Sequence, residues 1–351
     1  MPKTTNAKGL LERLEKGPVI CAEGYVFELE RRGYVQAGSF VPEVLLEHPN
    51  AVVELHREFL YAGSDVIEAL TYYAHREKLR LVGLEGRLKE INRTALKLAR
   101  QVADEGDALV AGNICNTNIY APDDSQREAE VRKMFEEQVG WAVDAGVDFV
   151  IAETLSFLGE ALIALDVIRQ SGATSVITLA IHQHATEMRD GYSAVEACQR
   201  LKDAGADVVG LNCIRGPDTM LPLLKDIRAR VEGPLAALPV PYRTTVLEPT
   251  FQSLTDTQCT CLPDNRSFPA ALDPFTSTRY EIAEFATEAF ELGVLYQGVC
   301  CGAGPHHIRS MAEALGKQPR ASRYSPDMSK HYALGDDAQL RKEQLKYRDG
   351  L

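Results

Sequence analysis

A recurring pattern constrains the fold of this 351-residue chain more than any other feature: a helical stretch, a glycine, then a short apolar run. The pattern occurs as YAGSDVIEALTYY (61–73), DEGDALVAGNICNTN (104–118), DAGVDFVIAETL (144–155), DAGADVVGLNC (203–213) and ELGVLYQGVCC (291–301). The glycine stands where the C-terminus of a helix needs a left-handed residue. The apolar run lacks alternation, which is typical of a strand buried on both faces.

Three further apolar runs predict strands without the full pattern: PVICAEG (18–24), SVITLAI (175–181) and PLAALPV (234–240). Helical patterns lie between most of the runs, for example at 51–63, 131–146 and 193–206. Eight β/α units in about 300 residues predict an α/β fold of the (β/α)8 TIM-barrel type. A doubly wound open sheet is the alternative, but no G-x-G-x-x-G follows any strand to favour it.

Two segments differ in composition from these repeats. Residues 241–281 form a long loop before the last strand that is rich in Pro, Thr, Ser and Asp, and long loops on barrels usually act as lids or rims. After residue 317 the chain becomes polar. We therefore predict a barrel over residues 1–317 and a short C-terminal tail over 318–351, which we interpret as an arm that packs on a partner subunit.

Bulk properties exclude several functional classes. The net charge of −12 is spread along the chain, which argues against a nucleic-acid partner. The N-terminus, MPKTTNAKGLLERLEKG, has charges where a signal peptide has an apolar segment, and no apolar run is long enough to cross a membrane. Eight cysteines without secretory features favour the reducing cytoplasm, where thiols are mostly buried, metal-bound or reactive.

Polar and thiol side chains gather at the predicted strand ends, where TIM barrels carry their active sites. These residues are Glu23, Glu68, Tyr72, Tyr73, Asn113, Glu153, Asn212, Cys213, Cys300 and Cys301. The backbone can bend at Gly302, so that the two adjacent thiols turn toward one point and Cys213 completes a triangle. Three thiolates on a tetrahedral Zn²⁺ leave one position open, which is typical of a catalytic site. A substrate thiol that entered there would be deprotonated.

Spacing alone leaves other interpretations of the cysteines and histidines open. Adjacent cysteines are also ordinary in a core, and a Cys-Cys pair is less specific than paired C-x-x-C motifs. Cys259 and Cys261 form a rival ligand pair in a polar loop. His306 and His307 are potential ligands, but we favour a role in capping or lining the helix that they begin. The cysteines that we interpret as structural are Cys21, Cys115 and Cys198.

The segments GLNC (210–213) and GVCCGAGPHHIRSMAEAL (298–315) together resemble the zinc signature of the homocysteine S-methyltransferase family. LEHPNAVVELHREFLYAGSDV (46–66), ARQVADEGDALVAGN (99–113) and VDFVIAE (147–153) resemble its betaine–homocysteine branch. The likeness runs from about residue 9 to residue 316. It implies a (β/α)8 barrel, zinc held by Cys213, Cys300 and Cys301, and homocysteine bound through its sulfur.

The resemblance also implies contacts to the amino group of homocysteine. The family's acidic residue at the end of strand four falls on Glu153. At the end of strand one the family usually has Asp-Gly, whereas this chain reads CAEGYVF (21–27). Either Glu23, followed by Gly24, replaces the aspartate with a shift of one residue, or Ala22 occupies its place and the acid is lost. We favour Glu23 as a second contact to the substrate.

An aromatic cage for a quaternary ammonium donor is implied as well. The cage positions of the betaine enzymes fall on Phe40, Tyr73 and Thr154. Tyr73 is retained, phenylalanine is a weaker cage residue than tryptophan, and threonine is not a cage wall. Tyr72 or Phe157 can compensate, although either also fits a core position. Trp141, the single tryptophan, is interpreted as packing.

These implications predict a zinc-dependent S-methyltransferase that moves a methyl group from glycine betaine or a related betaine to homocysteine and gives methionine. No side chain is expected to act as general base, because the metal removes the thiol proton. The alternatives are a methylsulfonium donor, S-methylmethionine or dimethylsulfoniopropionate, and a non-catalytic zinc-binding barrel. We expect a cytoplasmic homo-oligomer whose other partners are small-molecule substrates, with neither nucleic acid nor membrane.

Overall fold

The computed structural model describes residues 9–182, 186–258, 260, 262–324, 329, 331, 332 and 334–350. Eight parallel strands close into a barrel in chain order, and the last strand pairs with the first. The strands are β1 (Val19–Ala22), β2 (Val66–Glu68), β3 (Leu109–Cys115), β4 (Phe149–Leu155), β5 (Ser175–Leu179), β6 (Val208–Asn212), β7 (Leu235–Leu238) and β8 (Val294–Val299). Each lies within one of the eight predicted runs, so the prediction of a (β/α)8 barrel is confirmed.

Helices surround the barrel and fill most of the connections between strands. They are α1 (Leu10–Lys16), α2 (Tyr25–Arg31), α3 (Val44–Glu47), α4 (Pro49–Ala62), α5 (Arg76–Leu81), α6 (Leu88–Ala103), α7 (Ser125–Asp144), α8 (Leu158–Gln170), α9 (Ala194–Asp203), α10 (Pro217–Arg228), α11 (Arg279–Glu291), α12 (Pro305–Ala314) and α13 (Lys342–Arg348). The loop between β7 and α11 contains short 3₁₀ turns and isolated β-bridges among its described residues. The predicted long loop before the last strand is therefore present.

The repeated glycines mark the ends of helices in four of the five repeats. Gly63, Gly146, Gly205 and Gly293 have φ values of 112°, 71°, 94° and 78°, as expected for left-handed residues after a helix. The expectation is wrong for Gly106, which does not have a positive φ. The reason is that α6 ends at Ala103, three residues before this glycine, and its C-cap residue, Asp104, has a right-handed conformation.

Alternate residues of each strand point into the barrel, and the others pack against the helices. Val19, Cys21 and Ile151 belong to the interior cluster, whereas Ile20 and Ala152 pack in the outer layer. Toward the carboxyl end of each strand, the last inward-pointing position lies at the mouth of the barrel. Those positions are occupied by Glu23, Glu68, Asn113, Glu153 and Asn212, all of which are buried. The pattern that fills the core therefore also gathers polar groups above it.

The chain on both sides of the predicted boundary at residue 317 lies against the barrel. Lys317 Nζ is 2.5 Å from Asp65 Oδ2, and the guanidinium of Arg320 lies 4.3 Å from the ring centroid of Tyr61 on α4. The domain boundary at 317, packing of the tail on a partner subunit and the cytoplasmic location stay predictions. Trp141 is half-buried against the outer layer, in agreement with a packing role. In the described part of the chain no helix is long and apolar enough to cross a bilayer.

We predict that His56 makes the barrel sensitive to acid. His56 on α4 is fully buried, and neither of its ring nitrogens has a hydrogen-bond partner among the described residues. Burial lowers its pKa from 6.5 to about 3. The unfolded chain therefore binds a proton below pH 6.5 that the folded protein excludes. This difference should remove about 3 kcal/mol of unfolding free energy between pH 7 and pH 4.

Urea unfolding of the native protein and of the His56→Leu variant at several pH values measures this contribution. The variant should lose less stability than the native protein as the pH falls from 7 to 4, whatever its stability at neutral pH. The remaining acid sensitivity is expected from other buried histidines, such as His75, whose pKa is lowered to about 4 by burial. Parallel pH profiles for the two proteins would contradict the assignment.

Candidate active site

Three thiols meet at the carboxyl ends of β6 and β8. The Sγ atoms of Cys213, Cys300 and Cys301 all lie within 4.8 Å of one another, and those of Cys300 and Cys301 are 3.9 Å apart. Two sulfurs bound to one tetrahedral zinc are about 3.8 Å apart, because each Zn–S bond is about 2.3 Å long. Cys213 and Cys300 are buried, and Cys301 is partly exposed. The separations and the soft sulfur donors fit zinc without a large rearrangement.

Unusual backbone conformations direct these thiols. Cys213 and Ile214 follow β6 with positive φ values of 56° and 61°, and the N–H of Arg215 donates to the Cys213 carbonyl at 2.6 Å. Gly302 directly follows Cys300 and Cys301 with φ 93°. The chain therefore turns sharply after each of the two strands. These turns bring Cys213 to Cys300 and Cys301, which are far away in the sequence.

The three thiols do not hold their protons equally. Hydrogen bonds from Cys300 and Cys301 lower the pKa of Cys213 well below its usual value. Burial raises the pKa of Cys300, and the interaction with Cys213 raises the pKa of Cys301. The cluster therefore favours a thiolate at Cys213 beside two thiols. Such a group of sulfur ligands suits a soft divalent cation.

We predict that Gly302 is required for this arrangement. An added Cβ at Gly302 would overlap the hydroxyl of Tyr242, which is held in place by a 3.0 Å hydrogen bond from Arg31 Nη2. The Gly302→Ala variant should therefore lose about 1–3 kcal/mol of unfolding free energy through overpacking, in addition to the cost of its positive φ. Its affinity for zinc should also fall. Urea unfolding and metal titration measure the two effects.

Gly316→Ala is the matched control for this variant. Gly316 also has a positive φ, 76°, but an added Cβ there meets no atom within 4 Å. The control should therefore show only the backbone cost and should keep its affinity for zinc. Equal losses in the two variants would contradict a role for the overlap with Tyr242.

Three buried glutamates line an acidic cavity beside the thiols. Glu23, Glu68 and Glu153 are linked through two buried amides. Asn113 Nδ2 donates to Glu68 Oε1 and, at 2.6 Å, to Glu153 Oε1. Asn212 Nδ2 donates to Glu153 Oε2 at 2.8 Å and to Glu23 Oε2 at 3.3 Å. The amides therefore fix the carboxylates at the mouth of the barrel.

The acidic cavity lacks positive charge among its described lining residues, which are Glu23, Tyr25, Val26, Glu68, Ala69, Leu70, Tyr72, Glu153, Cys300 and Cys301. Burial raises the pKa of Glu153 to about 7. Burial and the neighbouring Glu153 raise the pKa values of Glu23 and Glu68. Glu23 Oε1 is buried without a hydrogen-bond partner in the described part of the chain. A cationic ligand would supply the positive charge that these buried carboxylates lack.

A second cavity, of about 240 Å³, is lined by Cys213 and Cys301. Its described lining residues are Val26, Phe27, Phe40, Tyr72, Tyr73, Asn116, Asn118, Thr154, Ser156, His182, Arg189, Cys213, Ile214, Phe251, Gln252, Phe268 and Cys301. Aromatic rings dominate one part of this wall and polar groups the other. We call it the aromatic cavity. Val26, Tyr72 and Cys301 line both the aromatic and the acidic cavity, so the two cavities adjoin at the thiol cluster.

The expected cage residues Phe40, Tyr73 and Thr154 all line the aromatic cavity, together with Tyr72. Phe157 is not among the described lining residues, and its ring centroid lies 5.3 Å from that of Tyr120 and 6.0 Å from the guanidinium carbon of Arg189. Sequence reasoning missed three further rings of the wall. These are Phe27, which stacks on Phe40 with ring centroids 5.1 Å apart, and Phe251 and Phe268, whose centroids are 5.0 Å apart. The last two belong to the loop 241–281, which therefore forms part of the cavity.

Strained backbone is concentrated around the aromatic cavity. Six lining residues that are not glycine have positive φ values: Phe40, Tyr73, Asn118, Thr154, Cys213 and Ile214. Such conformations cost free energy and persist where the surrounding structure enforces them, most often at functional sites. The strained backbone and the thiols therefore indicate the same region as the functional site.

Other residues considered from the sequence lie elsewhere. His307 Nδ1 accepts a 3.1 Å hydrogen bond from the Gly304 N–H at the start of α12, which agrees with the capping interpretation. An added Cβ at Gly24 would lie 2.7 Å from the Ala303 carbonyl oxygen, so this glycine permits close packing beneath the site. Cys259 and Cys261 lie outside the described residues. The three cysteines interpreted as structural are buried: Cys21, Cys115 and Cys198.

The fold and the site together define a (β/α)8 barrel with a candidate thiolate metal centre at the carboxyl ends of its strands. A family model described as homocysteine S-methyltransferase matches residues 20–315. The chain therefore belongs to the homocysteine S-methyltransferase family, and the resemblance inferred from the cysteine motifs is confirmed.

Individual relatives have different methyl donors in their names. The chain is 39% identical over 352 residues to betaine–homocysteine S-methyltransferase 1 of Xenopus tropicalis, covering 97% of this chain and 83% of that protein. It is 37% identical over 334 residues to S-methylmethionine–homocysteine S-methyltransferase of Pongo abelii, covering 93% and 86%. A metallated homocysteine methyltransferase structure from Escherichia coli has the same fold, with a TM-score of 0.67 and 19% identity over 86% of this chain and 98% of that one.

Proposed function

We propose that this protein transfers a methyl group from a small betaine, glycine betaine first, to the sulfur of homocysteine and so makes methionine. The observation that carries this proposal is that the thiols line both an acidic cavity and an aromatic cavity, with Cys301 in the walls of both. One cavity suits the ammonium group of the acceptor, and the other suits the onium group of the donor. The two substrates would thus meet at the sulfurs.

The thiol cluster would hold a zinc ion through Cys213, Cys300 and Cys301. Their mutual distances and their uneven pKa values support this role. Zinc bound there would act as a Lewis acid that lowers the pKa of a substrate thiol and so provides a nucleophile at neutral pH. No side chain of the protein would then be needed as a general base for this thiol.

The acidic cavity would orient homocysteine, which carries its ammonium group a short alkyl chain away from its thiol. Glu153 and Glu23 would accept hydrogen bonds from the ammonium group. Asn212 supports this geometry, because it donates to both carboxylates and directly precedes Cys213 in the chain. The same strand end thus carries a metal ligand and positions the groups that bind the acceptor.

The aromatic cavity would bind the methyl donor. The rings of Phe27, Phe40 and Tyr73 would offer cation–π attraction and apolar contact to an onium group, although Lys78 Nζ already lies 4.0 Å from the ring centroid of Tyr73. The cavity is small, about 240 Å³, which favours donors of the size of glycine betaine. Methylsulfonium compounds are the second candidate class, because a relative named for S-methylmethionine is 37% identical to this chain.

Assay of the zinc-loaded protein with homocysteine and methyl-labelled donors tests the proposal. We expect labelled methionine with glycine betaine, loss of activity after chelation, and recovery after zinc is added. Dimethylsulfoniopropionate and S-methylmethionine form the comparison panel. Absence of methionine with every donor would contradict the proposal, and calorimetric binding of homocysteine in that case would instead support a non-catalytic zinc-binding barrel.

A further inference from the structure

The two cavities beside the thiols have opposite charge. The acidic cavity is lined by Glu23, Glu68 and Glu153, with no basic residue in its described wall. The described wall of the aromatic cavity contains no carboxylate, and Arg189 is its one permanently charged side chain. An onium donor is itself a cation, so a guanidinium in its cavity would repel it unless the donor also carries a negative group. The charges of the two cavities therefore favour a donor that carries a negative group as well as its onium group.

The main chain at Arg189 is fixed by a hydrogen bond, and its guanidinium forms no ion pair with the described residues. Its N–H donates to the Ser156 carbonyl at 2.9 Å, which ties the segment after β5 to the end of β4. No carboxylate of the described residues lies within 4.0 Å of its guanidinium. The nearby Glu160 is already used, because its Oε1 accepts hydrogen bonds from the Thr117 N–H and hydroxyl at 2.8 Å and 2.6 Å. The guanidinium is exposed, lies 6.0 Å from the ring centroid of Phe157 and is available to an anion.

Neutral polar groups complete this part of the wall. His182 Nε2 and Ser156 Oγ are 2.8 Å apart, and burial lowers the pKa of His182 to about 4, so that its ring is neutral at pH 7. Asn118 and Gln252 also line the cavity. Together they provide hydrogen bonds without a second charge. A guanidinium beside such groups is well suited to a carboxylate, which it can bind through two parallel hydrogen bonds.

We infer that Arg189, supported by Ser156 and His182, binds the carboxylate of the methyl donor and restricts donors to onium acids that lack an amino group. This inference rests on the proposed methyl transfer and specifies its donor class, to which glycine betaine and dimethylsulfoniopropionate belong. S-Methylmethionine is disfavoured, because its ammonium group finds no carboxylate in the described wall of the aromatic cavity. The onium group lies against the rings, and the carboxylate points away from the thiols.

Kinetics of the Arg189→Gln variant with two donors test the assignment. The KM for glycine betaine should rise by about tenfold or more, since a charge-assisted hydrogen bond is lost, with a smaller change in kcat. Trimethylsulfonium is the second donor, because it has an onium group and no carboxylate. Its KM should stay within about twofold of the native value or fall, because a repulsive charge has been removed. The Arg200→Gln variant, on the outer surface of α9, should match the native protein with both donors.

Calorimetry with 3,3-dimethylbutanoate provides a readout that does not depend on turnover. This compound has the shape and the carboxylate of glycine betaine but a neutral head, so it reports on the carboxylate site alone. Its affinity should fall by about tenfold in Arg189→Gln and stay unchanged in Arg200→Gln. The Arg189→Glu variant should reverse the preference and use S-methylmethionine better than glycine betaine.

The outcomes separate the two proposals. Equal effects of Arg189→Gln on glycine betaine and trimethylsulfonium would overturn the carboxylate assignment and leave methyl transfer standing. So would unchanged affinity for 3,3-dimethylbutanoate, or better native turnover with S-methylmethionine than with glycine betaine. If the native protein methylates homocysteine from no donor, the proposed function fails. A loss of 3,3-dimethylbutanoate binding confined to Arg189→Gln would still identify an anion site.

Discussion

Replacing Cys213 by alanine should leave a folded barrel that neither retains zinc nor methylates homocysteine. The variant keeps two of the three sulfurs, and both belong to one strand end, so nothing fixes the position of a bound ion across the mouth of the barrel. Loss of a residue that only supports a metal ligand already lowers affinity by about 10–100-fold, and loss of a ligand should exceed this. The free homocysteine thiol would then be mostly protonated at pH 7.

Cys198→Ala is the matched control for this variant. Cys198 lies on α9 and is equally buried, but it has no contact with the thiol cluster. Both variants remove one buried sulfur, and they differ in whether that sulfur belongs to the thiol cluster. Elemental analysis, circular dichroism and the methionine assay should show a folded protein in both cases and metal and activity only in Cys198→Ala. Native zinc content or turnover in Cys213→Ala would refute the three-sulfur site.

The barrel and the thiol cluster are predictable from the sequence because both depend on periodic structure. Apolar runs after helix-ending glycines identify the strands, and parallel strands of a barrel end at the same face. Once the strands are placed, Cys213 and the pair Cys300–Cys301 must lie at that face, although nearly ninety residues separate them. The turns at Cys213 and Gly302 then bring the sulfurs together. Gly106 is an exception to the pattern. The preceding helix ends three residues earlier, so this glycine does not cap it.

The donor side of the site is less predictable because irregular loops build most of it. Phe251 and Phe268 come from the loop 241–281, and Arg189 follows β5 in a segment without regular structure. No residue periodicity indicates which of these side chains turns inward. Glu68 is a different case. Its position at a strand end was evident, but its importance depends on the close approach of Glu23 and Glu153, which only the register of the barrel reveals.

Glu153→Gln should weaken the binding of homocysteine more than any other single change in the acidic cavity. Glu153 accepts hydrogen bonds from Asn113 and Asn212 and lies between the other two carboxylates, so it is the best fixed of the three. Removing one partner of a buried charge pair typically costs about 2–5 kcal/mol. The KM for homocysteine should therefore rise by about 100-fold, with zinc content unchanged.

The pH dependence of the native protein and this variant provides a second, independent measurement. Only the ionised carboxylate attracts an ammonium group, and burial raises the pKa of Glu153 to about 7. The native kcat/KM for homocysteine should therefore rise as the pH increases through about 7, and Glu153→Gln should lose this rise. Glu160→Gln is the control, because Glu160 is also buried but binds Thr117 outside the cavity. A native-like KM and pH profile in Glu153→Gln would show that the acceptor's ammonium group binds elsewhere.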